Sequence, residues 1–546
     1  MDAETALTGL LPAVVLVSTP LSLALCVLLL RLYRRAVLRG MRQTLGHHPQ
    51  PASAAVPASG APPSAALDLA DIAAASDGSA AADRAQAGTE PRFVHALAVH
   101  AAAAVVYAVV MALTWTLSSG AGVSAGRLLW LVACFSWPGV VLLQVGFARD
   151  RRDRLRLHCG YASVLAAVGA FVLLRNPGVA AGDLAVLWAL LNLPATVLAA
   201  LFLRPRLRAV GPLVLALVTL GVTGALLLAQ LVGLHDGLLR AMVSAGAALA
   251  LGATVQFWTL QLLGALTFGA LGGGLLLGLG QAYRRGRLSD QTIMLGALGL
   301  FFATLQSVTL VFEHPAWVLG GALALGAAAT ARHLGLAPLR QATEPPPELL
   351  WLRVFALGRR SEQLFDALSR GWRYRSPMRL ICGPDLLQLT VEPHEFLDFL
   401  GGRLKRRFVR AAGDLQQHDA PPRLGGDGRY RVQELFCHAD TWRLALAHLT
   451  AQRAVILMDL RGFGPDQQGC RDELEHLLNH VDLRRVLLLV DDTTDRALLN
   501  RLLAGLWQGL AKDSPNRHTA APQLWLVDPA LLGTRGLHRQ LAARTA

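Results

Sequence analysis

RPRLRAVGPLVLALVTLGVTGALLLAQLVGLHDGLLR, residues 204–240, decides the broad class of this chain. Arg204, Arg206 and Arg208 crowd its start, and no Asp, Glu, Lys or Arg then occurs from 209 to 235. Inside a bilayer every backbone amide and carbonyl must bond within its own segment. A run this long and this apolar is therefore a helix crossing the hydrocarbon, which takes about 20 residues. Comparable runs lie on either side, at 10–30, 94–117, 128–147, 157–174, 184–203, 239–282, 292–312 and 315–331, giving about nine apolar spans. Beyond His333 there are none.

The arginines orient these spans. Arg31, Arg34, Arg35, Arg39 and Arg42 follow the first; Arg149, Arg151, Arg152, Arg154 and Arg156 follow the third; Arg284, Arg285 and Arg287 follow the seventh. The remaining loops hold single arginines at 127, 175 and 240. Every arginine-rich loop falls on one side if the N-terminus is outside, and the C-terminal part is then cytoplasmic. Asp2 and Glu4 precede the first span and no basic stretch does, so it reads as an anchor rather than a cleaved leader. Much of the arginine excess behind the formal charge of +14 sits in short loops beside the spans, facing anionic lipid, so the bilayer is the expected partner and nucleic acid is not. Lysine occurs only at 405 and 512, and with abundant Ala, Leu and Gly this suggests a GC-rich bacterial coding sequence and hence a bacterial inner membrane. The six cysteines show no disulfide framework, as in a reducing compartment.

Residues 1–42 thus form an N-terminal anchor helix, 92–333 a helical membrane bundle, and 334–348 a linker. The segment 43–91, rich in Ala, Pro and Ser without apolar period, reads as a disordered loop. The stretch 239–282 is too long for one ordinary helix; the charge rule favours one crossing plus an interfacial or re-entrant half, broken near 256–261. Within it Gly269 and Gly273, and Gly274 and Gly278, stand four apart, the spacing of a close helix contact and of a possible homo-oligomer seam. No charged residue lies near the middle of a span, which disfavours a coupled transporter. His100, Gln144, Asn192, Gln230, Gln256, Gln261 and Gln306 read as helix-to-helix hydrogen-bonding groups.

From 349 to 546 short apolar strands alternate with amphipathic helices: strands at 350–357, 378–382, 454–460, 485–490 and 523–527, helices at 361–373, 440–452, 467–480 and 494–510. This order predicts a five-stranded, mostly parallel sheet covered on both faces. Ligands of such sheets bind beyond the carboxyl ends of the strands. That edge collects 358–360, 383–385, 459–463 and 491–492, so Arg359, Arg360, Asp459, Arg461 and Asp491 are the candidate ligand-binding residues. No P-loop, GxGxxG, GxSxG or HExxH motif occurs. Cys437, His438 and Asp440 form one short cluster, too few for a zinc site, and Asp440 reads as a helix N-cap.

AVILMDLRGFGPDQQGCRDELEHLL, residues 454–478, resembles the third strand and following helix of Toll/interleukin-1 receptor (TIR) domains, with Cys470, Glu473 and Leu474 in that family's Cys-x-x-Glu-Leu signature. RRVLLLVDDTTD, 484–495, is similar to the next strand and its acidic turn, and LRVFALGRRSEQLFDAL, 352–368, loosely to the first strand and helix. The resemblance implies a TIR/flavodoxin-like sheet, and NAD as substrate in the family's enzymatic members, with Glu473 as the catalytic carboxylate. Leu357 and Asp459 stand where the family often has Ser, and 393–438 is an insertion. The bland alternative for Glu473 is a helix-start acid favoured by the helix dipole. Three function classes follow: a membrane-tethered signalling or defence protein whose cytoplasmic domain binds a nucleotide-like ligand or self-assembles, an NAD-cleaving hydrolase, and, least favoured, a channel or transporter with a regulatory domain.

Overall fold

A computed structural model describes residues 3–45, 63, 65–72, 89–340, 348–353, 359–382, 392–416, 424–425 and 428–544, apart from positions 121, 149, 205, 209, 287 and 453. The chain divides into two compact units. A bundle unit comprises Met1–Leu32, His95–Pro338 and Glu392–Gly401; a sheet unit comprises Tyr33–Val94, Leu339–Val391 and Gly402–Ala546.

The bundle is built from α1 (Ala3–Arg42), α2 (Thr89–Ser118), α3 (Ala125–Phe135), α4 (Trp137–Phe147), α5 (Arg151–Arg175), α6 (Ala181–Phe202), α7 (Gly211–Leu234), α8 (Asp236–Ala248), α9 (Ala253–Arg284), α10 (Asp290–Ser307) and α11 (Leu319–Gly335). Pro138 opens α4 and separates it from α3 at Ser136. Among the described residues eight helices are long and apolar enough to cross a membrane, α3 and α4 counting together. These fit a multi-pass membrane protein. The ninth expected span, 315–331, is not among them: a 3-10 turn, Pro315–Val318, takes up its start and leaves the 17-residue α11. The long stretch 239–282 breaks at 249–252, earlier than expected, where Ala250 adopts a φ of 52°. The 13-residue α8 is about 20 Å long, too short to cross.

α10 is the axis of this unit, with Ile293, Leu298, Phe301 and Phe302 wholly buried. Gln306 near its end accepts from the Tyr107 hydroxyl at 2.8 Å and donates to Asn192 Oδ1 at 3.3 Å. Asn192 in turn donates to the Cys134 carbonyl at 3.2 Å. Gln256 instead satisfies the break locally, donating to the Leu251 carbonyl at 2.8 Å. The close helix contact involves glycines other than those expected. A Cβ on Gly264 would lie 2.4 Å from the Gly224 carbonyl oxygen, and one on Gly224 would meet the Phe268 ring. The α7–α9 seam is therefore Gly224 against Gly264 and Phe268, whereas Gly269, Gly273, Gly274 and Gly278 face open space.

A further helix, α13 (Pro393–Leu400), belongs to the bundle although its chain neighbours belong to the sheet unit. His394 Nδ1 lies 2.6 Å from Asp290 Oδ1, with both side chains buried, and its ring stacks on Tyr283 at 4.3 Å. Arg284 pairs with Asp398 at 3.0 Å. The insertion read at 393–438 thus begins as a clamp on the α9–α10 turn.

In the sheet unit the strands are β1 (Asp68–Asp71), β2 (Glu348–Arg353), β3 (Met378–Cys382), β4 (Phe408–Val409), β5 (Val432–Cys437), β6 (Ala454–Asp459), β7 (Val486–Leu489) and β8 (Gln523–Val527). Every pairing is parallel, in the order β1-β8-β7-β6-β2-β3-β5-β4. β3, β6 and β7 are buried along their whole length, and β2 at every residue but Glu348, as strands covered on both faces must be. The covering helices are α12 (Arg359–Trp372), α14 (Trp442–Ala451), α15 (Gln468–His480), α16 (Arg496–Gln508) and α17 (Pro529–Ala543).

Eight strands replace the expected five. β4 and β5 come from the insertion. β1 comes from the segment 43–91 expected to be disordered, much of which lies outside the described residues. β1 is held by its neighbours rather than by its own propensity: it lies along β8, Arg496 pairs with Asp71 at 2.8 Å, and the Trp507 indole donates to the Ala65 carbonyl. The last turns of α1 also pack in this unit, with Gly40 tight against the Phe408 ring and its carbonyl 2.7 Å from His438 Nδ1. Thr441, not Asp440, precedes α14; Asp440 accepts from the Leu45 amide at 2.8 Å.

Candidate functional site

Successive strands run outward from β2 through β3 to β5 on one side, then from β6 through β7 to β8 on the other. The reversal lies between β2 and β6, and in doubly wound sheets the crevice outside the carboxyl ends at such a point is where ligands bind. Arg353 ends β2 and is in register with Asp459, which ends β6.

Asp459 is fully buried, and the turn after it folds Arg461 back onto its carboxylate. Arg461 Nε donates to Oδ1 at 2.8 Å and Nη2 to Oδ2 at 2.7 Å. The left-handed Gly462, φ 70°, lets the chain reverse directly after this fork. Burial disfavours the Arg461 cation, but the bond to Asp459 and the fields of Asp459, Asp491 and Asp528 outweigh it and raise its pKa.

The loop after β7 locks onto the same turn. The Thr494 hydroxyl donates to the Leu460 carbonyl and accepts from the Asp491 amide. Arg360 reaches Asp491 Oδ2 at 2.5 Å and Thr493 at 3.2 Å, and Arg461 touches the Arg360 carbonyl at 3.4 Å. Burial works against the Asp491 carboxylate. The Thr493 hydroxyl and amide, helped by Arg360 and Arg461, overcome it and hold its pKa below the usual range. The start of α12 and the loops after β6 and β7 are thus tied into one charge-balanced rim.

Glu473 lies differently. It is 3 % exposed on the face of α15 that also carries Cys470, Leu474 and Leu477. α15 starts at Gln468, which puts Glu473 beyond the first turn, so the helix-dipole account of it does not hold. Burial pushes its pKa up to about 8, against the attraction of the Arg353 guanidinium, so the group is protonated at pH 7. Among the described residues no hydrogen-bond partner reaches its Oε2. Burial, together with Glu473 and Asp459, likewise pushes the Cys470 thiol up and keeps it unreactive.

The structure therefore brings Arg360, Asp459, Arg461 and Asp491 together, with Glu473 buried behind the β6 end. Arg359 opens α12, but its side chain lies outside the described residues, as do 354–358 and 383–385. Sequence reading missed Arg353, Thr493 and Thr494. An arginine closing the apolar strand ELLWLR was the available signal for Arg353. Among the described residues no group of three His, Cys, Asp or Glu is placed to hold a metal. Comparison with protein-family profiles, with curated proteins and with solved structures finds no match to this chain.

Proposed function

We propose that this chain is a membrane-tethered signalling or defence-type protein of the bacterial inner membrane, whose sheet unit is cytoplasmic and binds a nucleotide-like ligand where β2 and β6 diverge. The observation that carries this reading is the strand-order reversal, with Arg353, Asp459 and Arg461 buried at the carboxyl ends beside it. Arg360, half-exposed at the rim, suits a phosphate, which guanidinium groups bind through charge-assisted hydrogen bonds, while the Arg461 fork stays on Asp459. The arginine-rich loops support the cytoplasmic orientation. The test is titration of the full-length protein in nanodiscs with ATP, NAD and a cyclic dinucleotide. At least one should bind more tightly than 1 mM, and Arg360→Ala, at a half-exposed position, should weaken it about tenfold, the loss of one charged contact. No binding of any of the three at millimolar concentration overturns the proposal.

NAD cleavage is a second reading, resting on the TIR-like resemblance and favoured by the buried, unpartnered Oε2 of Glu473. The same nanodiscs incubated with NAD should then release nicotinamide, and Glu473→Gln should abolish the release. A carboxylate that stabilises a developing oxocarbenium ion must first lose its proton, so activity should rise with pH through about 8.

A further inference from the structure

The bundle unit encloses a cavity of about 330 Å³ that the sheet-edge reading does not use. Its walls are almost wholly hydrocarbon, among them Leu142 of α4, Leu217 and Leu220 of α7, Leu275 and Leu279 of α9, and Leu300 of α10. Space is left because small residues line it. A Cβ built on Gly296 meets nothing within 4 Å. A polar solute would find little to bond there: the Tyr107 hydroxyl already donates to Gln306, and His100 Nδ1 is engaged by the Ala96 carbonyl. The lining includes one cation, Arg332, in the last turn of α11.

Position narrows the occupant. The lining residues of α9 and α11 come from the closing parts of those helices and those of α7 from its opening part; α4, the closing half of the α3–α4 span, lines it along its whole length, and α2 and α10 contribute residues near mid-helix. The start of α2 lies by the end of α11, and the start of α10 by the end of α4, since His95 bonds the Gly335 carbonyl and Gln291 the Gly146 carbonyl. They are also the ends flanked by Arg151–Arg156, Arg204–Arg208 and Arg284–Arg285. The cavity therefore runs from the middle of the bundle to its arginine-rich side, where Arg332 stands and where head groups are anionic. Its walls would forfeit dispersion contacts if it stood empty, and apolar cavities stay dry and take apolar ligands.

We infer that this cavity is a binding site for one acyl chain of an anionic phospholipid, whose phosphate meets Arg332 at the rim. Full-length protein delipidated in detergent would be incubated with dioleoyl phosphatidylglycerol or phosphatidylcholine, and retained lipid counted by native mass spectrometry. Wild type should retain about one phosphatidylglycerol per chain, at about tenfold lower lipid concentration than phosphatidylcholine. Gly296→Phe, which fills the void, should cut retention at least tenfold, and Arg332→Gln should remove the preference between head groups. Phosphatidylglycerol carrying a diazirine on its acyl chain should label wild type on 272–300, a readout that requires no variant to fold. Equal retention by Gly296→Phe and wild type, no head-group preference in wild type, or labelling confined to outward residues such as Leu262 and Leu271 would each overturn the inference.

Discussion

Replacing Glu473 with glutamine separates a buried neutral carboxyl from an ionised one. The folded group holds its proton to about pH 8, whereas the unfolded chain releases it near its ordinary value of 4.5. Between those limits the native state binds more protons than the unfolded state, so stability falls as pH rises. The contribution is complete below pH 4.5 and lost by about pH 8. The slope is about 1.4 kcal/mol per pH unit, so on the order of 4 kcal/mol disappears between pH 5 and pH 8. Glutamine is isosteric with the protonated acid and does not titrate. The variant should match wild type near pH 5 and become progressively more stable than wild type towards pH 8. Thermal unfolding of the full-length protein, followed by tryptophan fluorescence at pH 5, 6, 7 and 8, measures the divergence, which should reach about 10 °C at the alkaline end. Parallel pH profiles for the two proteins would refute the reasoning, because they would require Glu473 to ionise as freely folded as unfolded.

Gly264→Leu should cost at least about 1–3 kcal/mol of bundle stability, because the new side chain meets the Gly224 backbone, which cannot rotate away; Gly273→Leu should be neutral, and detergent melting curves check both. Asp459→Asn should destabilise the sheet unit by about 3–5 kcal/mol, read by urea unfolding, since Arg461 is left buried without its charge partner. His394→Ala should release α13 from Asp290 and Tyr283, and limited proteolysis should then cut between 383 and 402 faster than in wild type. A fragment beginning at 349 should aggregate on size-exclusion chromatography, because it loses β1 and bares the edge of β8.

How far the fold can be read from sequence depends on where each element gets its stability. The long apolar helices are visible because the bilayer forces each to satisfy its own backbone, and the arginines beside them mark their ends. Strands such as AVILMD and VLLL announce themselves because burial on both faces demands unbroken apolar residues. DLAD does neither: it is a strand only because β8 offers an unpaired edge, so no local pattern could reveal it. PHEFLDFL looks like any short amphipathic helix, and nothing in it says that His394 has its partner at Asp290, more than a hundred positions earlier. The glycines of α9 show the same limit from the other direction. Four-residue spacing picks out a helix face but not which face meets α7, and the contact falls on Gly264 and Gly272 rather than on Gly269, Gly273, Gly274 and Gly278.

The site was legible in its rim and illegible in its interior. Asp459, Arg461 and Asp491 follow apolar strands in a chain of β-then-α units, and strand direction alone sends such residues to one edge. Whether they wait for a ligand or for one another depends on side-chain geometry, and here each is already bonded to another part of the rim. A rim of satisfied charges does not shift to meet a ligand cheaply; it is a frame around whatever enters. Among the described residues, Glu473 Oε2 lacks a hydrogen-bond partner, and the group is protonated and faces the field of Arg353 at the point where the strand order reverses. A ligand bringing a negative charge close to Arg353 would weaken the attraction that favours the Glu473 anion and fix the proton there. A ligand bringing a positive charge would draw that proton off. The protonation state of Glu473 would therefore report the sign of the charge that the proposed ligand places at the β2–β6 crevice.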